Sequence, residues 1–229
     1  DLGHTPFGHN GEKVLDSIHK RGFHHNIQSL RVADVLESSH SRRGMNLTQE
    51  VRDGIVNHTG EGIPYTLEGQ IVKISDRVAY INHDIDDALR SGVIIPEDLP
   101  SECLKILGKD HRTRINTLVE DLIENSFDRE VISMGEVCRK HMDLPRDFMF
   151  ENVYHNKKVK KDEDLEKVRN IIESLYKYFL EHPDRLPQEL GQMIPEFGLE
   201  EMVKDHIAGM TDRHAMNLYT DLFVPRGWK

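Results

Sequence analysis

The sequence begins DLGHTPFGHNGE, and Asp1, His4, His9 and Glu12 are packed into its first twelve positions. A carboxylate three residues from an imidazole can orient and polarise it for proton transfer. The same residue types can ligate metal, because imidazole is largely neutral near physiological pH and carries a nitrogen lone pair. The chain holds 14 histidines in 229 residues, and His4, His9, His19, His24 and His25 fall in the first 25. Gly3, Pro6, Gly8 and Gly11 specify an irregular backbone of the kind that presents reactive side chains. From these residues alone two readings stay open: a metal or proton-transfer site, or histidines that cap loop and helix ends.

A second constellation lies in TLEGQIVKISDRVAYINHDIDDALRSG. Leu67, Ile71, Ile74, Val78, Ile81, Ile85 and Leu89 step by four and three, which predicts a long helix with one buried stripe. Asp76, Arg77, Tyr80 and Asp84 fall within an arc of roughly 100° centred well away from that stripe. The planar, permanently charged guanidinium of Arg77 suits phosphoryl oxygens. A solvated face with local ion pairs is the competing reading.

The elements that must hold these residues are helical, since β-branched alternation is almost absent and the fold is expected to be all-α. HNGEKVLDSIHK and HNIQSLRVADVLES read as helices broken at Gly22, and NLTQEVRDGIVNH as a third behind Thr48. After Pro96 and Pro100 follow RTRINTLVEDLIEN, RDFMFENVYHN, DEDLEKVRNIIESLYKYFLEH and a final LEEMVKDHIAGMTDRHAMNLYTDLF. SSHSRRGMN and TGEGIP read as loops. Arg42 and Arg43 in the first could contact phosphate or a neighbouring subunit, with a solvated loop the simpler reading. One compact unit is expected, with residues 1–100 as its core and 101–229 as a helical extension packed on it.

Composition bounds the rest. Hydrophobic residues make up 37% and charged residues 31%. No apolar run nears the roughly 18 residues a membrane helix needs, and there is no signal-peptide pattern, so a soluble cytoplasmic protein with no membrane partner is expected. The formal charge of −10 argues against a general nucleic-acid coat, so an anionic substrate would need dedicated cations or metal. Cys103 and Cys138 lack metal-site spacing and read as reduced thiols. The KKVKK run reads as a solvent-facing hinge that a nucleotide or single-stranded DNA could use. His19 and His24 read as surface or outer residues of the site, His58 and His83 as near it without ligating, and Met142, Met149 and Met210 as packing.

DLGHTPFGHNGE, HNIQSLRV and ISDRVAYINHDIDDA together resemble the HD-domain deoxynucleoside triphosphate triphosphohydrolases, in their bacterial dGTPase-like branch. LTQEVRDGIVNHTGE, RDFMFENVY and DHIAGMTDRHAMNLY are similar to later segments of that branch, so the resemblance spans nearly the whole chain. It implies an HD-type helical core and hydrolysis of a deoxynucleoside triphosphate to deoxynucleoside and inorganic triphosphate. The family pattern binds a divalent metal, with Mn2+ or Mg2+ expected and Fe2+ an alternative, through a first His, a His-Asp doublet and a distal Asp. On this sequence the two carboxylates are Asp1 and Asp76, and both histidine ligands would lie upstream of residue 1. The chain is therefore expected to start inside a longer protein or to follow a disordered or cleaved segment.

The resemblance further implies a catalytic dyad of His9 and Glu12, with His4 and His25 facing the phosphates and His24 the neighbouring alternative to His25. Arg77 would contact phosphate, Tyr80 would crowd the sugar 2′ position, and Asp84 would accept from the 3′ hydroxyl. It implies a homo-oligomer and a deoxynucleotide or single-stranded DNA effector. Other HD phosphohydrolase chemistry, on a nucleoside monophosphate or cyclic nucleotide, and an inert nucleotide-binding module remain as alternatives.

Overall fold

The computed structural model describes residues 2–39, 42–154 and 162–227. Over these residues the chain is all-α: α1 (Gly8–Ile18), α2 (His25–Arg31), α3 (Gln49–Asn57), α4 (Leu67–Arg90), α5 (Ser101–Ile106), α6 (His111–Ser126), α7 (Glu136–Met149), α8 (Asp162–Glu181), α9 (Gln188–Phe197), α10 (Leu199–Ala208) and α11 (Asp212–Phe223). A two-residue antiparallel ladder, β1 (Ser38–Ser39) with β2 (Arg42–Arg43), is the sole extended pairing among the described residues, and it falls in the SSHSRRGMN loop. The chain divides into two compact units, Asp1–Thr48 with Asp162–Lys229, and Gln49–Lys161.

In the first unit α1 packs on α8, and α8 packs on α10. Leu15 of α1, Ile172 and Leu175 of α8, and Met202, Val203 and Ile207 of α10 are almost wholly excluded from solvent. The chain enters α1 through a left-handed turn, with φ 65° at Phe7 and +57° at Gly8. The Phe7 N–H donates to Asp212 Oδ1 at 2.8 Å, which holds a conformation that is costly for a residue with a side chain. A Cβ on Gly11 would lie 1.9 Å from the Pro6 carbonyl oxygen, so only glycine lets the first turn of α1 lie against the loop before it. That close approach keeps His4 beside the helix that carries His9 and Glu12.

In the second unit α3 lies along α4, and α4 packs on α6 and α7. The Thr66 hydroxyl accepts from the Gly69 N–H at 3.1 Å and fixes where α4 starts. The expected stripe is buried only in part. Val78, Ile81 and Ile85 are in the core, whereas Leu67 and Ile71 are 37% and 48% exposed at the start of α4, where the short α3 beside it has no buried residue.

Two further differences have local causes. The final apolar segment is two helices, not one: α10 stops at Gly209, and the Thr211 hydroxyl accepts from the His214 N–H at 3.2 Å to start α11. Residues 146–154, the described part of RDFMFENVYHN, are the end of a longer helix that begins at Glu136, contains Pro145 and widens into a π turn over Phe150–Tyr154. Proline removes one backbone donor, which loosens the ladder ahead of that turn.

Candidate active site

Helix α1 places His9 and Glu12 one turn apart, and α2 delivers His25 to the same carboxylate. His9 Nδ1 lies 3.1 Å from Glu12 Oε2, and His25 Nδ1 lies 2.9 and 3.1 Å from the two Glu12 oxygens. The His25 backbone N–H also donates to Glu12 Oε1 at 2.9 Å. The His4 ring completes the group, with centroids 5.1 Å from both His9 and His25, while His9 and His25 are 5.7 Å apart. His25 is buried and His9 largely exposed, so the cluster runs from the interior to the surface.

The electrostatics of the cluster follow from this geometry. Burial disfavours charge on Glu12, but the hydrogen bonds from His25 and His9 and from the His25 backbone outweigh it and hold the carboxyl far below the usual range. Burial, then the neighbouring His25 and His9 rings, push His4 below the ordinary imidazole value, which keeps it neutral near pH 7. An ionised carboxylate that orients imidazoles is an acid/base arrangement. Asp1, the other acid of the opening motif, lies outside the described residues.

The second constellation sits together on α4, within the second unit. Asp76 is exposed, and Arg77 pairs through Nη2 with Asp143 Oδ1 of α7. Asp143 Oδ1 also lies 3.3 Å from Arg146 Nη1. Burial raises the Tyr80 hydroxyl above its ordinary pKa, while the nearby Arg146 and Arg77 charges oppose that rise. Asp84 is half-buried two turns beyond Asp76. Sequence reasoning missed Asp143 and Arg146. Arg146 opens the RDFMFENVY segment, but its spacing from α4 is invisible until α7 packs there.

Other expectations resolve individually. His24 is exposed while its neighbour His25 turns toward Glu12. His19 is not a surface residue: it is 5% exposed, with Nδ1 3.0 Å from the Tyr176 hydroxyl and Nε2 3.4 Å from Glu201. His58 Nδ1 is 2.7 Å from the Ile55 carbonyl oxygen, and the His83 and His111 rings lie 5.0 Å apart, tilted by 49°. Arg42 donates to the Gly44 and Met45 carbonyls, and Arg43 pairs with Glu196 at 2.7 Å and lies over the Phe197 ring, so neither is simply solvated. Met142, Met149 and Met210 are buried as packing residues, and both cysteines are free and buried. The KKVKK run lies outside the described residues. Among the described residues no helix is long and apolar enough to cross a membrane.

Residues 132–221 match the family described as the phosphohydrolase-associated domain. A deoxyguanosinetriphosphate triphosphohydrolase-like protein of Caldanaerobacter subterraneus subsp. tengcongensis is 49% identical over 228 residues, covering 100% of this chain and 66% of that protein. Proteins of the same name from Clostridium perfringens (strain SM101) and Clostridium tetani are 38% and 36% identical, with 99% of this chain covered in each and 68% and 67% of theirs. This chain belongs to the deoxyguanosinetriphosphate triphosphohydrolase-like family. It spans about two thirds of the length of these family members. The matched stretch covers the segments that carry both the histidine cluster and the α4 residues.

Of the family's two expected carboxylate ligands for a divalent ion, Asp76 presents an exposed oxygen donor on α4. A carboxylate oxygen fits Mg2+ or Mn2+. The only group of three or more potential ligands brought together among the described residues is a different one, His4, His9, Glu12 and His25, whose ligand atoms lie within 4.8 Å of one another.

Proposed function

We propose that this protein hydrolyses a deoxynucleoside triphosphate to deoxynucleoside and inorganic triphosphate. The observation that carries the reading is the Glu12 carboxylate, which binds His9 and His25 at once with His4 beside them, in a chain of this family. In the reaction a water oxygen bonds to the α-phosphorus, the bond from that phosphorus to the 5′ oxygen breaks, and a proton reaches the departing oxygen.

His9, oriented by Glu12, moves a proton in this scheme. His4 and His25 hold phosphoryl oxygens and exchange the remaining proton. Arg77 neutralises phosphate charge. Tyr80 fills the space a 2′ hydroxyl would need, which favours deoxyribose, and Asp84 accepts from the 3′ hydroxyl, which holds the sugar against Tyr80. Asp1 and Asp76 would hold the divalent ion, Mn2+, Mg2+ or Fe2+, which when bound supplies Lewis acidity and lowers the pKa of water. The same reading gives a cytoplasmic homo-oligomer that responds to a deoxynucleotide or single-stranded DNA.

Phosphorus NMR of the full-length protein with a panel of deoxynucleoside triphosphates and Mg2+ or Mn2+ tests this directly. Inorganic triphosphate with free deoxynucleoside is the expected product pair. Glu12→Ala should lower kcat about 100-fold or more, the scale of a lost acid/base partner. Asp84→Ala should instead erode discrimination against ribonucleotides. Intact triphosphates under all conditions would overturn the activity, and full activity with unchanged sugar choice in both variants would overturn the assignments.

A further inference from the structure

Two carboxylates of α1, not one, hold the chain that leads into α2. Glu12 Oε1 accepts from the His25 backbone N–H at 2.9 Å, and one turn further along Asp16 Oδ1 accepts from the Phe23 backbone N–H at 2.8 Å. The acids are four residues apart on one face of the helix, a rise of about 6 Å. Between the two donors His24 is extended, with φ −133° and ψ 127°. Two residues of extended chain advance about 6.6 Å and bring alternate residues to the same side. The spacings match, so residues 23–25 run back along α1 with a carboxylate at each rung. Gly22 makes the rung at Asp16 possible: its φ is +71°, and a Cβ there would lie 2.8 Å from Asp16 Oδ1.

We infer that Asp16 is a positioning residue for the histidine cluster: by holding the Phe23 N–H it sets the register at which His25, and not His24, meets Glu12. One residue of slip in an extended segment turns the neighbouring side chain to the opposite side, so the rung at Asp16 selects between two adjacent imidazoles. His25 is 8% exposed and His24 is on the surface, as that register requires. Asp16 acts through the backbone, and its side chain is exposed, so removing it leaves no hole in the core. The Phe23 ring is 3% exposed in the core of the first unit and keeps the segment attached. The consequence for catalysis rests on the function proposed above, in which His25 holds a phosphoryl oxygen; the placement of His25 does not.

The test is NMR of the full-length protein with isotope-labelled histidine and phenylalanine, following amide hydrogen exchange and the histidine ring signals. In the native protein the Phe23 and His25 amides should exchange at matching rates, as rungs of one ladder. Asp16→Ala, checked for native circular dichroism, should speed exchange of the His25 amide about tenfold or more, the scale of a lost hydrogen bond to a charged group, and shift the His25 ring signals. Asp16→Asn keeps an acceptor oxygen in place and should restore most of both. With a deoxynucleoside triphosphate, Asp16→Ala should lower kcat/KM about 10- to 100-fold, as a displaced catalytic group does, and Asp16→Asn should recover most of the loss. Unchanged His25 signals in Asp16→Ala, including a lower melting temperature with those signals unmoved, would overturn the inference, as would equal damage from Asn and Ala. If Asp16→Ala does not fold, unrelated exchange rates for the two amides in the native protein would overturn it. Exchange and ring signals are read without turnover, so a failure to hydrolyse any nucleotide would refute the proposed function and leave this placement standing.

Discussion

At Glu12 two imidazoles and a backbone N–H converge on one carboxylate. Its charge is therefore worth more folded than unfolded, and the sign of the pH dependence follows. A carboxyl held below its ordinary value of 4.5 adds stability that is fully present above that value and is lost as pH falls through its depressed folded value. Glu12→Gln keeps the shape and removes the charge. Thermal melts from neutral pH to about pH 3 should show the wild-type advantage over this variant at its largest near neutrality and shrinking below pH 4.5. A gap of constant size would mean that the carboxylate's charge is not what the imidazoles stabilise. His206 has the opposite chemistry and the same acid sensitivity. Burial lowers its pKa to about 4, so acid favours the unfolded state as pH falls from 6.5 toward that value.

Between elements, Asp205 joins α2 to α10. Its carboxylate accepts from Gln28 Nε2 at 2.8 Å and from Arg31 Nε at 3.0 and 2.8 Å, and it lies 3.0 Å from Lys204 Nζ. Asp205 is 3% exposed and Lys204 5%. Removing one member of a buried ionic group leaves the others uncompensated, which costs far more than the intact group contributes. Asp205→Ala should lower unfolding free energy by about 3–5 kcal/mol in urea titrations. A loss below about 1 kcal/mol would place the group in a wetter setting than its burial indicates. This network also holds the helix that delivers His25, so the same variant should disturb the histidine cluster.

Across the whole molecule, each of the two units has its own apolar core, and both cysteines belong to one of them. Cys103 and Cys138 are 1% and 7% exposed in the core of the second unit, and burial raises both thiols to about 11. Thiolate, not thiol, reacts with an aromatic disulfide. The native protein at about pH 8 should therefore give almost no colour with such a reagent, and denatured protein should release two thiols. The denaturant midpoint for labelling should follow the second unit's unfolding. Prompt labelling of the native protein would show that this core opens readily.

The sequence by itself determined what depends on neighbours a few positions away. Helical period made the fold class legible, and the spacing of His9 and Glu12 put them on one face of one turn. The arc of Asp76, Arg77, Tyr80 and Asp84 was readable for the same reason. The tertiary structure decided which distant groups meet these residues. The choice of His25 over His24 depends on how the chain enters α2. The partner of Arg77 is 66 positions away, and that of Arg31 is 174 away. The early exposure of α4 and the break between α10 and α11 were likewise set by packing and capping. Periodicity follows from local backbone geometry, whereas pairing follows from which helix faces exclude water together, and that is a property of the folded chain.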